Sequence, residues 1–111
     1  MSPIADTPSP PYYAVIFTSL RTEGDNGYEE MAVRMLELAV QQTGFLGVES
    51  ARESLGITVS YWKDLDSIQA WHTHAELRFA QQKGREVWYS AFKTRICLVE
   101  HDYDFNNGKL Q

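Results

Sequence analysis

The stretch "YYAVIFTSLRT", residues 12–22, runs through β-branched and aromatic residues without a break, the composition of a strand. Strand alternation puts Tyr13, Val15 and Phe17 on one face and Tyr12, Ala14, Ile16 and Leu20 on the other. "EGDNG" interrupts the pattern. In "YEEMAVRMLELAVQQ" the period changes to that of a helix, with Tyr28, Met31, Met35, Leu38 and Ala39 on one stripe. Glu29 and Glu30 suit the positive end of its dipole, and Gly44 is the predicted stop. "FLGVESARE" and "ITVSYWK" flank a Leu55-Gly56 turn and predict an antiparallel hairpin. Asp64 or Asp66 then caps a second helical region, with Asp66 and Gln69 at capping-box spacing. Leu65, Ile68, Trp71, Ala75 and Phe79 form its predicted buried stripe. Gly84 allows a break before "REVWY". The last element, "SAFKTRICLVEHDY", alternates again. Phe92, Thr94, Ile96 and Leu98 face one way, and Lys93, Arg95, Cys97 and Val99 the other.

The order is βαββαβ, which predicts an α+β, ferredoxin-like domain with a four-stranded antiparallel sheet. With both helices on one face, the other face should be polar. It is not: in the third strand Ile57, Val59 and Tyr61 oppose Thr58, Ser60 and Trp62, and the first strand is apolar on both sides. Leaving such a face in water costs roughly 25 cal/mol per Å² of apolar area. A second copy of the same sheet is the simplest cover, so the pattern predicts a homodimer. All four prolines, Pro3, Pro8, Pro10 and Pro11, fall in residues 1–11, predicted to be an extended or disordered arm. The domain spans residues 12–105, and residues 106–111 form a polar tail.

Charge and composition narrow the partners. The net charge of -5 argues against a nucleic-acid-binding surface. No apolar run is long enough to span a membrane, and the N-terminus lacks the pattern of a secretory signal. The single cysteine, Cys97, sits in an apolar run and reads as a small core residue in a reducing, cytoplasmic setting.

Three stretches carry a family resemblance: "GFLGVES" after the first helix, "SYWKDLDSIQAW" across the third strand and second helix, and "GREVWYSAFKTRICLVEHDY" at the end. In a βαββαβ chain they resemble the antibiotic biosynthesis monooxygenases, over about Tyr12 to Tyr103. The resemblance implies a dimeric α+β barrel, with a pocket in each subunit between helices and sheet. It implies either cofactor-independent oxygenation of an aromatic or quinol-like molecule or oxidative heme degradation. Trp71 matches a tryptophan that both kinds of member carry on the second helical region. The cofactor-independent members place an Asn one turn earlier, where this chain has Ser67. The heme-degrading members carry an Asn on the first strand, absent here, and an axial His ten residues after the Trp, where this chain has Gln81.

The residues themselves leave several readings open. His72 and His74 point about 200° apart on a regular helix and so do not share a metal. His72 reads as surface. His74, three residues after Trp71, is a candidate acid/base or donor. Trp71 is the candidate pocket wall, with Ser67, Phe79 and Arg95 as further substrate-binding candidates. A charge inside a barrel needs a partner, and Glu49 or Glu100 is available to Arg95. No resident cofactor or metal is expected, with heme the alternative. A non-catalytic dimeric module binding a small ligand is the third reading.

Overall fold

The structure is a computed structural model describing residues 3–107; the outermost residues of the arm and tail, 1–2 and 108–111, lie outside it. The strands are β1 (Tyr12–Arg21), β2 (Phe45–Arg52), β3 (Gly56–Trp62) and β4 (Tyr89–Val99). The helices are α1 (Tyr28–Ala39), α2 (Leu65–His72) and α3 (Ala75–Lys83). The sheet is antiparallel in the order β2-β3-β1-β4, the ferredoxin-like arrangement with its second helix divided in two.

Local chemistry explains the boundaries. The Asp25 carboxylate accepts from the Gly27 and Glu29 amides at 2.9 and 3.1 Å and starts α1. α1 ends at Ala39, short of the predicted stop at Gly44. Gly44 instead shapes the turn into β2, where its φ of 85° and a clash awaiting any Cβ with Ser67 both demand glycine. Asp64, not Asp66, caps α2, accepting from the Ser67 amide at 2.8 Å. α2 stops where the Thr73 hydroxyl bonds back to the Gln69 and Ala70 carbonyls and His74 turns extended. At Gly84 there is no break. The chain winds into a π-helical turn, Gly84–Trp88, which rotates Trp88 inward until its indole N–H reaches the Asn26 carbonyl at 2.9 Å.

The register sorts the sheet into two faces. Tyr13, Val15, Phe17 and Ser19 of β1 share the helix side with Trp62, Ser60, Thr58 and Gly56 of β3. Val48, Ser50 and Arg52 of β2 and Phe92, Thr94, Ile96 and Leu98 of β4 lie on that side too. The core is small: Trp62, Ile68, Leu38, Ala39, Ala80 and Trp88 are buried, with Trp62 wholly enclosed at 0% exposure. The predicted stripe of the second helical region holds only in part. Ile68 is buried, but Leu65, the first residue of α2, is exposed, and so is Phe79, beyond the break at Thr73–His74 that resets the helical phase.

The opposite face is partly closed by the chain's own arm. Ala5 donates its amide to Glu49 at 2.9 Å and lies so close over Gly47 that a Cβ there would meet its methyl at 2.9 Å. Thr7 donates to the Tyr12 hydroxyl, which donates to Asp102 at 2.5 Å. Tyr12 and Ala14 are buried beneath this arrangement. Part of the cover that the pattern left to a second copy is therefore residues 3–11. Beyond the arm, Leu20 and Ile57 remain 42% and 41% exposed. Cys97 sits on this face, partly exposed rather than in the core.

Candidate functional site

Trp71 is held by the helix that carries it. Ile68, one turn earlier, anchors α2 to the core, and the Trp71 ring lies 6.3 Å from that of Trp62 at 25°. Trp62 is itself fixed by Phe45 edge-on at 5.4 Å and by its N–H to Ser60 at 2.9 Å. Trp71 thus forms a rigid wall at one end of the helix-side face. His74 also lies beside Trp71, ring centroids 5.4 Å apart. Its Nδ1 accepts the Glu76 amide at 3.2 Å and so caps α3. That bond puts the hydrogen of the neutral ring on Nε2, which leaves a donor, not a free base, toward solvent or ligand.

The other candidates fall elsewhere. Ser67 is turned toward Asp64 and Gly44. Its hydroxyl and amide hold the Asp64 carboxyl below the usual carboxylate range. Phe79 is 61% exposed and borders a groove of about 190 Å³ between α1 and α3, with Met31, Met35, Ala75 and Glu76. Arg34 spans the same groove with a two-point contact to Glu76 at 3.1 and 3.2 Å. Arg95 pairs with Ile16 and therefore stands on the face opposite Trp71. Glu49 does not reach it; that carboxylate accepts from Tyr61 at 2.6 Å and from Ala5. Burial, then the bond to Glu49, pushes the Tyr61 hydroxyl up to about 12.

The residues do not fit a heme iron. Gln81 supplies a neutral amide where an imidazole would be needed. The nearest imidazole to it in the fold, His72, has Nδ1 3.4 Å from the Gln81 amide nitrogen, and His74 is bound into the α3 cap. His72 and His74 point to different partners, and among the described residues no three His, Cys, Asp or Glu side chains converge.

Beneath the helices the floor is incompletely closed. Val15 and Phe17 on β1 and Thr58 and Ser60 on β3 are central yet partly exposed. At the end away from Trp71 lies a set of residues the sequence reading did not single out: Phe17, Tyr28, Tyr89 and Phe92 in mutual ring contact, with Arg52 and Ser19 beside them. Their signals, a serine inside an apolar strand and a strand-ending arginine, are too common to stand out in a sequence.

No family model matches the chain. Over 107 residues it is 52% identical to YqjZ, an uncharacterized protein of Bacillus subtilis (strain 168), covering 95% of this chain and 94% of YqjZ. The chain belongs to the YqjZ family. Among solved structures, a mutant form of SnoaB, a cofactor-independent oxygenase from Streptomyces nogalater, superposes with a TM-score of 0.71. It is 12% identical, and the match covers 82% of this chain and 95% of SnoaB. A Nitrosomonas europaea protein named for the antibiotic biosynthesis monooxygenases gives 0.67 at 11% identity, over 85% of this chain and 94% of that one. At such identities the likeness establishes the fold: this member of the YqjZ family has the ferredoxin-like α+β fold of the antibiotic biosynthesis monooxygenases.

Proposed function

We propose that this YqjZ-family chain is a homodimeric small monooxygenase that oxygenates an aromatic or quinol-like molecule without a resident metal or flavin. The observation that carries the reading is the partly open floor of Val15, Phe17, Thr58 and Ser60 beneath the helices, walled by Trp71. A planar ring entering there would lie against Trp71 and meet the His74 Nε2–H as a donor. In this chemistry the substrate supplies the electrons. A phenol loses its proton to solvent, the electron-rich anion reduces O₂ and forms a C–O bond, the peroxide anion takes a proton back, and the resulting hydroperoxide loses water to give the quinone. One oxygen atom enters the product and the other leaves as water. The protein's part is to bind the anion, hold the ring and exclude bulk water. SnoaB, of the same fold, is described as a cofactor-independent oxygenase, which supports this choice.

Dimerisation rests on the surfaces the single chain leaves apolar: Leu20 and Ile57 on the open face, and Ile96 and Leu98 on the edge strand β4. The test of function is oxygen uptake by metal- and flavin-free protein with a panel of naphthols and hydroquinones. Substrate-dependent uptake that falls at least about tenfold in Trp71→Ala is expected. No uptake across the panel would leave a binding module instead.

A further inference from the structure

We infer that the end of the helix-side face opposite Trp71 is an oxyanion-binding site, built from Arg52 and Ser19 beside the Phe17, Tyr89 and Phe92 rings, for an acidic aromatic ligand. Arg52, at the end of β2, turns its guanidinium across β3 and donates to the hydroxyl of Ser19 on β1. It passes over Gly56, where any Cβ would collide with the guanidinium carbon, so a side chain on β3 would close this path. Ser19 is 2% exposed. Because its oxygen accepts from Arg52, its own hydrogen remains to be donated.

The charge of Arg52 is not neutralised. Among the described residues no carboxylate lies within ion-pair distance of it, whereas Arg34 is paired in two places with Glu76. The other nearby arginine, Arg21, is differently engaged. It spends its N–H groups on the Trp88, Gly24 and Asp25 carbonyls and lies over the Tyr28 ring at 3.9 Å. Both terminal nitrogens of Arg21 are thus engaged, whereas Arg52 makes one side-chain hydrogen bond, to Ser19, and has more N–H donors to offer.

Aromatic surface adjoins the charge. Phe17 meets Tyr89 at 5.3 Å and Phe92 at 5.4 Å, and Tyr89 rests on Gly84, the first residue of the π-helical turn. The Tyr89 hydroxyl donates its one hydrogen to that of Tyr28, and burial with that bond keeps it protonated, so it adds a neutral edge to the patch and no negative charge. Phe92 is 38% exposed, so the patch opens to solvent along the β4 edge. A guanidinium with free donors and a buried hydroxyl beside an accessible aromatic floor match a ring bearing a carboxylate or phenolate oxygen. From Ser19 to Tyr13, the position beside Trp62, the floor runs six residues, about 20 Å at strand rise, so Trp71 and Arg52 address opposite ends of what binds. The identity of that ligand as the substrate rests on the proposed function; the site itself does not.

The test is binding of 1-hydroxy-2-naphthoate and of its uncharged methyl ester to the full-length protein, followed by calorimetry at neutral pH. The wild type should prefer the acid. Arg52→Ala and Arg52→Gln should each weaken the acid about tenfold or more and the ester far less. Arg52→Lys should recover part of the loss, which guards against a variant that merely misfolds. Equal losses for acid and ester, or no acid binding by the wild type, would overturn the site. Oxygen uptake read in the same samples separates the two claims. Acid binding that depends on Arg52, without uptake, retains the site and rejects the oxygenase. Uptake with acid binding unchanged in Arg52→Ala retains the oxygenase and rejects the site.

Discussion

Two tryptophans in contact have separable duties. Trp62 is wholly buried and holds three neighbours in place, so Trp62→Ala should cost about 3–5 kcal/mol in urea unfolding. Trp71 is partly exposed on the far side of that contact, so Trp71→Ala should cost clearly less while removing substrate-dependent oxygen uptake. If both variants lost stability equally, Trp71 would be a core residue and not a wall. His74 allows a similarly clean substitution. An Asn there keeps a side-chain acceptor for the Glu76 amide, so His74→Asn should melt near the wild type, and any fall in uptake then belongs to the imidazole. Trp71 stands out in the sequence only through a family resemblance. The turn of Ser67 toward Asp64 and Gly44 was not readable there, because these partners come together only in the folded turn.

At the scale of elements, two ionisable groups tie local structure to pH. Asp64 caps α2, and bonds from the Ser67 hydroxyl and amide lower its folded value below the ordinary one. Its contribution is present above the unfolded carboxylate range and is lost as pH falls through the folded value. Asp64→Asn should therefore flatten the acid limb of Tm against pH; an unchanged limb would show that the cap does not titrate with folding. Tyr61 behaves in the opposite sense. Burial, chiefly, raises it from 10.0 to about 12, so its contribution is full below pH 10 and fades between 10 and 12. In an alkaline absorbance titration Tyr61→Phe should remove a late-ionising phenol and loosen the arm held through Glu49. The elements themselves were readable from the change of period along the chain. The end of α2 just before His74 was readable only in outline, since Thr73 back-bonding to Gln69 and Ala70 also occurs inside continuous helices, and the π-helical turn was not readable, because a Gly-Arg-Glu-Val-Trp stretch has no periodic mark of its own.

For the whole molecule, the two-sided apolar strands gave the correct problem and an incomplete solution. A prolines-first arm carries no periodic signal, so nothing in the sequence pattern said that residues 3–11 fold back over Gly47 and Tyr12. What remains uncovered on the open face and along β4 is the basis for the proposed homodimer. Sedimentation equilibrium should give twice the 12.7 kDa chain mass, and a Leu20→Lys, Ile57→Lys double variant should shift it toward the monomer. The central claim, however, is chemical: a wall of tryptophan over a partly open sheet floor lets an electron-rich ring react with O₂ unaided. Its most direct measurement is oxygen consumption by the purified full-length chain, freed of metals and flavin, with a panel of naphthols and hydroquinones. Uptake with one O₂ consumed per quinone formed, lost in Trp71→Ala, is the predicted result. Uptake no faster than the buffer control, or equal in wild type and Trp71→Ala, would contradict it.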